Sequence, residues 1–451
     1  MKYPAYIAAN RFGMGARPDE LKTISPNPMG WLNQQISAKP HMSRQLKSMK
    51  ASTALTEEFL KLRDARTQAK KNNNDREVKK IQLVFRENFL NEIHVRTTTA
   101  LTTEYPLQER LTRFWANHFT VSAKKNIVRP LVGAFEREAI RPNIFGKFED
   151  LLLAATSHPA MLVYLDNFQS IGPNSLSGRR RDKGLNENFA REILELHTLG
   201  VKGNYQQADV IALAKILTGW TISLPRHKNG KIGEFRFIDR LHEPGSHKIL
   251  GKEYAANGLK QGIAALKDLA RHPSTAHFIA RKLARHFISD NPPEQVITIL
   301  AQEFIRSDGH LGKVIKKLIS LPEGWQPNPG NMKTSEEFVI SALRGLKVDR
   351  FTPKEIVESL YEMGQRTFEA PSPAGWPHED EYWSGPDLLL KRIEWAQAVA
   401  DRSQLTQSPL DLAQNILGQN LSRQTYSAIK RADSAGQAIT LLLASPEFQR
   451  R

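Results

Sequence analysis

The chain has 451 residues, enough for one large core or for two to three ordinary domains. Its apolar fraction of 40% and charged fraction of 25% are those of a folded globular protein and exclude a disordered one. Lys plus Arg outnumber Asp plus Glu by 64 to 47, and the resulting +17 favours anionic partners, while the absence of cysteine rules out disulfides, thiolate metal ligands and cysteine nucleophiles.

Taken in chain order, Met1–Asn10 carries Lys2 but no apolar stretch long enough for a secretory leader. No apolar run approaches the roughly 18–20 residues that cross a bilayer. The expectation from these features is a cytoplasmic chain, with the periplasm as the alternative. Residues 46–96 form a charged helical segment. Within it, 56–96 is so sparse in apolar positions that it reads as long exposed helices broken near Asn72–Asn74. Ser157-His158-Pro159 opens a helix over Ala160–Leu165, with proline suited to a first turn. Ile211, Leu213, Ile216 and Leu217 recur at helical spacing until Gly219 and Trp220 end the run, and Pro273 opens another helix whose apolar face is Phe278, Ile279, Leu283 and Phe287.

Three breaks interrupt this pattern, at 168–184, 224–253 and 369–386, and all three read as mobile loops rich in Gly and Pro. The first ends in Arg179-Arg180-Arg181, and the second leaves room for one small hairpin near 230–253. The third places Trp376 and Trp383 in a stiff stretch that either stacks on a ligand or plugs into the core. No fixed-period repeat and no strand–helix alternation appears. The expected fold is mainly α: a single large multi-helical unit over 1–451 with at most that hairpin.

Chemistry concentrates in Asn186–Gly200. On an ideal helix Asn188, Arg191, Glu192 and Glu195 share one stripe, and Leu185, Phe189, Ile193 and Leu196 share another. A solvated helix face explains that pattern as well as a site does. Glu187 and His197 lie off the polar stripe, and Leu165-Asp166-Asn167 ends an apolar helix with two polar residues free to converge on the same place. A carboxylate pair such as Glu192 and Glu195 either binds a divalent metal or divides acid and base roles. His118 stands in an aromatic run, Phe114–Phe119, where a core imidazole competes with a ligand. His242 and His247 match no zinc signature. The candidate metal set is His118, Glu192, Glu195 and His242, with nitrogen and oxygen donors suited to zinc, iron or manganese. The candidate catalytic set is Glu192, Glu195, Asp166 and Arg191. Walker, dinucleotide, nucleophile-elbow and EF-hand signatures are all missing.

Ordered blocks carry a family resemblance: Ala9–Pro18, Arg113-Phe114-Trp115 with Asn117-His118-Phe119, Tyr164–Asn167, and Asn186-Glu187-Asn188 with Ala190-Arg191-Glu192. Further blocks are Leu217–Trp220, His242 with Gly245, Lys248, Leu250 and Gly251, His272-Pro273, Lys282-Leu283, Glu337–Val339 and Ala374–Pro377. The chain resembles the bacterial family called domain of unknown function 1800. That resemblance implies a helical fold and no established activity. It also implies a role at the envelope beside a sulfatase- or phosphatase-like partner protein encoded nearby. The chain is expected to depart from the family's exported pattern, since its first residues read as no leader, and it has Ser335 where proline usually follows Lys-Thr and Ala116 where a second histidine is frequent.

Three functions compete. The first is a metal-dependent or acid–base enzyme, hydrolytic or oxidative, in which His118, Asp166, Glu187, Glu192, Glu195 and His242 line a pocket and Arg191 holds an anionic substrate group. The second is a non-catalytic binding or maturation partner of the sulfatase- or phosphatase-like neighbour. The third, nucleic-acid binding through the basic excess, lacks any matching motif.

Overall fold

The computed structural model describes residues 3–180, 184–227, 229–327, 330–348, 351–403 and 407–451. Two long helices, α1 (Ser52–Lys71) and α2 (Asp75–Thr102), make up the charged segment. They part at Asn72–Asn74 because Asn73 takes a left-handed turn (φ 51°) and the Asn74 side chain accepts from the Glu77 amide at 3.1 Å. Helix α3 (Pro106–His118) follows and is buried on most sides. Pro159–Tyr164 (α4) begins at a proline, as its sequence suggested. Beyond it come α5 (Glu187–Glu192), α6 (Gln207–Ile216), α7 (Pro273–Phe287), α8 (Glu294–Arg306), α9 (Ser335–Gly345) and α10 (Pro386–Arg402). Among the described residues no helix is long and apolar enough to cross a membrane.

The mainly helical expectation holds: helices account for 64% of the structure, and among the described residues strands form two small antiparallel pairs. Trp220–Ile222 (β1) pairs with Phe235–Phe237 (β2), Thr221 opposite Arg236. His247–Ile249 (β3) pairs with Lys252–Tyr254 (β4) around a tight turn at Leu250-Gly251, both with positive φ. The hairpin expected near 230–253 is therefore two pairings, and the first reaches back to Trp220. In the first break, 170–180 is turn plus one 3-10 turn at Gly178–Arg180; Arg181 lies outside the described residues. The third break contains the short helix Asp380–Trp383.

One connected set of buried apolar side chains runs from Tyr6 to Phe448. Charged side chains are threaded through it. Glu109 and Arg141, each 1% exposed, pair at 3.1 Å; Glu136 takes Arg96 at 2.7 Å; Arg344, fully buried, reaches Glu20 at 3.3 Å and the carbonyl of Ala100 at 2.8 Å. Paired in this way the charges tie helices together, and removing one partner of such a pair typically costs several kcal/mol.

Candidate functional site

Asn186 starts α5. Its side chain accepts from the Asn188 amide at 3.0 Å and donates to the Leu165 carbonyl at 2.7 Å, so the cap also fastens the helix to the end of α4. The α-helix lasts only to Glu192, and Ile193–His197 is a π-turn. Thr198 Oγ1 donates to the Ile193 carbonyl at 2.7 Å, and the Gly200 amide to the Leu194 carbonyl at 3.1 Å, which closes it. The extra residue in that turn buries Phe189, Ala190, Ile193, Leu194 and His197 together. Single π-turns of this kind recur at functional sites.

The outer face is a polar strip. Gln207 donates to Glu187 at 2.7 Å and accepts from Arg191 at 2.8 Å; Arg191 also lies 3.6 Å from Glu187 and 4.0 Å from Glu195. Beneath it, burial and then the Glu195 carboxylate push the Glu192 carboxyl above its ordinary range, against the pull of Arg191. Two phenols flank the pair. Tyr164 is pushed up to about 12 by burial and then by Glu192, and Tyr205 to about 12 by burial and then by its hydrogen bond to Glu195. The structure thus brings Glu192 and Glu195 together with Tyr164, Tyr205 and Arg191.

Asp166 stands apart from this group. It adopts φ 60° and pairs with Lys125 at 2.5 Å, where it borders a shallow cleft with Asn186 and Asn188 that Glu192 and Glu195 do not line.

The proposed metal ligands do not assemble: among the described residues no three His, Asp or Glu side chains are grouped to hold a metal ion. His118 lies in the core, its Nε2–H donating to the His197 carbonyl at 3.1 Å. That bond fixes the tautomer, so Nδ1 accepts from Lys282 Nζ at 3.1 Å. Burial, followed by the Lys282 and His197 charges, holds the His118 imidazole well below its usual range, and burial and Lys282 hold His197 down at about 3. His242 is elsewhere, its Nδ1 3.0 Å from the Thr218 carbonyl and its ring edge-on to Phe237. There it helps staple 239–243 onto the loop after α6, with Glu243 accepting from Asn174 at 2.6 Å.

The structure adds His286 and His378 to the residues singled out from sequence, and gives Lys282, named there only within a family block, a contact with His118. Burial, then Arg285, lowers the Lys282 amine to about 8. Lys282 and His286 sit four apart on α7, a spacing readable in the sequence; what it contacts was not. His378 follows Trp376, which is clamped by paired bonds with the Asn117 side chain, 2.7 Å from its amide and 3.0 Å from its carbonyl. Gly375 makes that approach possible. A Cβ there would lie 2.5 Å from the Asn117 carbonyl, and its φ of +86° is left-handed.

A family model described as a protein of unknown function (DUF1800) matches residues 7–450. The chain belongs to the DUF1800 family. No curated protein and no solved structure matches this DUF1800 member. The family blocks recognised in its sequence fall on the elements just described: Asn117-His118 at the end of α3, Asn186–Glu192 on α5, Lys282 on α7 and Gly375-Trp376 over Asn117.

Proposed function

We propose that this DUF1800 protein is an acid–base enzyme of hydrolytic type acting on an anionic substrate. Glu192 gives up a proton to the leaving group, Glu195 takes one from water, and Arg191 turns from its neighbours to the substrate's negative charge. One observation carries the reading: the half-buried Glu192 carboxyl, raised by burial and by the Glu195 carboxylate beside it, shares one strip with Arg191, which suits it to donate a proton. Among the described residues His118 and His242 are not grouped with the two carboxylates, so no step is routed through a metal.

The test is a panel of phosphate, sulfate and carboxylate esters, with and without chelator. Hydrolysis that survives chelator and falls about 100-fold or more in Glu192→Gln supports the proposal. Turnover of none of the panel, or full turnover in both Glu192→Gln and Glu195→Gln, sinks it.

A second reading is a non-catalytic partner of a sulfatase- or phosphatase-like protein. It is favoured by two large apolar side chains on either side of α5 in sequence, Leu176 and Val201, 72% and 74% exposed. Under that reading Leu176→Ser abolishes capture of the neighbouring gene product while leaving the fold intact. Capture unchanged by the substitution removes it.

A further inference from the structure

We infer that the cleft between α3, α9 and the segment 365–378 is a binding site for a small tetrahedral oxyanion of phosphate or sulfate type. The space is about 120 Å³, well above the ~30 Å³ share of a single water. Five guanidiniums line it, those of Arg96, Arg110, Arg113, Arg366 and Arg451, against three carboxylates, Glu136, Glu336 and Glu337. The carboxylates are consumed within the wall. Glu136 takes Arg96 at 2.7 Å and Arg141 at 3.6 Å, Glu336 takes Arg96, and Glu337 takes Arg110 at 2.5 Å and Arg451 at 2.9 Å. Arg366 also pairs with Glu369 at 3.6 Å and Arg113 with Glu109 at 3.4 Å, but those carboxylates also serve Arg129 and Arg141, so positive charge is still left over, in a form suited to the bidentate geometry of an oxyanion.

Unspent donors supply the second, independent observation. Arg113 is 9% exposed, yet its Nε has no hydrogen-bond partner, the nearest Glu336 oxygen lying 3.7 Å away. His286 is 7% exposed and neither ring nitrogen is paired. Thr367 Oγ1 is enclosed and also without a partner. All three residues line the same cleft. Buried polar groups are seldom left unpaired, and here several converge where surplus cationic charge already favours an anion.

The wall is also held rigid. Phe368 adopts φ 61°, a conformation costly for an aromatic residue, with its carbonyl accepting from the Ala123 amide at 2.8 Å. Its ring lies 5.0 Å from the Arg96 guanidinium, fixing that cation at the edge of the space. His378 and Trp376 complete the rim, which gives the clamp between Asn117 and Trp376 a role in shaping the opening. This inference stands without the Glu192 reading, since neither Glu192 nor Glu195 lines the cleft.

The full chain is titrated with sodium phosphate and sodium sulfate by calorimetry and thermal unfolding, against sodium chloride at matched ionic strength. Saturable binding is expected, weakened about tenfold or more in Arg113→Gln and in Arg366→Gln, because each removes a charged donor. Arg366 is half exposed and its pair with Glu369 is long, at 3.6 Å, while Glu369 keeps Arg129 at 3.1 Å, so its variant keeps the test alive if Arg113→Gln does not fold. Arg306→Gln, at an exposed arginine that does not line the cleft, should bind as the parent does. No response beyond chloride, or unchanged affinity in Arg366→Gln, overturns the assignment.

Discussion

Replacing Glu337 by Gln should change how the protein's stability depends on pH. Glu337 stands in the first turn of α9, where its carboxylate accepts from Arg110 at 2.5 Å, Arg451 at 2.9 Å and the Thr334 amide at 3.0 Å. Burial alone would push the carboxyl up, but Arg451 and Arg110 outweigh it and hold the group at about 2, against an ordinary 4.5. A folded value below the unfolded one means the carboxylate's contribution is fully present above pH 4.5 and is lost as the pH falls toward 2. Its size is about 3 kcal/mol, from ~1.4 kcal/mol per pH unit of depression, and about 2 kcal/mol of it is gone by pH 3. At pH 7, Glu337→Gln leaves two buried guanidiniums short of a counter-charge and should cost ~3–5 kcal/mol. Urea unfolding of parent and variant from pH 7 to pH 3 should therefore give two curves that converge, their gap narrowing by about 2 kcal/mol. Parallel curves would refute the claim that the Glu337 carboxylate is what these arginines stabilise.

Two further predictions concern the imidazole core and the loop above it. His197→Leu removes an imidazole held near 3 by burial; because that folded value lies below the ordinary 6.5, the parent loses stability as the pH falls from 6.5 toward 3, by on the order of 4 kcal/mol. The variant should lose correspondingly less over that interval in pH-dependent thermal unfolding, and an unchanged profile would show that His197 is not the group responsible. Gly375→Ala forces a Cβ against the Asn117 carbonyl at a left-handed backbone position and should cost ~1–3 kcal/mol. A change in indole fluorescence should accompany it as Trp376 leaves Asn117, and a variant with parental stability and emission would contradict the clamp.

Helix boundaries were legible because they are written in local chemistry. Asn72–Asn74 breaks the charged segment through one left-handed residue and one cap, and Pro159 and Pro273 each sit in a first turn. The π-turn at Ile193–His197 was not legible, since a 3.6-residue period carries no mark for an inserted residue. It sends His197 into the core instead of along the helix surface. Strand β1 escaped for a different reason: three residues pair across a gap of twelve residues, and nothing in Trp220–Ile222 alone distinguishes them from the loop that follows a helix. Glu109 and Arg113 are a third case. Their spacing of four suits an exposed helix pair as well as a buried one, and the structure makes it buried: Glu109 is 1% exposed and committed chiefly to Arg141. A charge spacing is the same string whether water or protein lies over it.

That ambiguity also explains why His118 was a reasonable candidate ligand and is a poor one. A buried imidazole in an aromatic run needs partners for its nitrogens, and a metal and a hydrogen-bond donor satisfy that need equally well on paper. The fold decides between them through charge. The His197 carbonyl takes the Nε2 proton, and the Lys282 amine occupies Nδ1 at 3.1 Å, the one nitrogen with a lone pair to offer a cation. A second positive centre beside that amine would meet repulsion in an interior where Coulomb forces are weakly screened. Among the described residues with an unpaired buried polar atom, Arg113, His286 and Thr367 line one cleft, and there the Arg113 Nε–H lacks an acceptor.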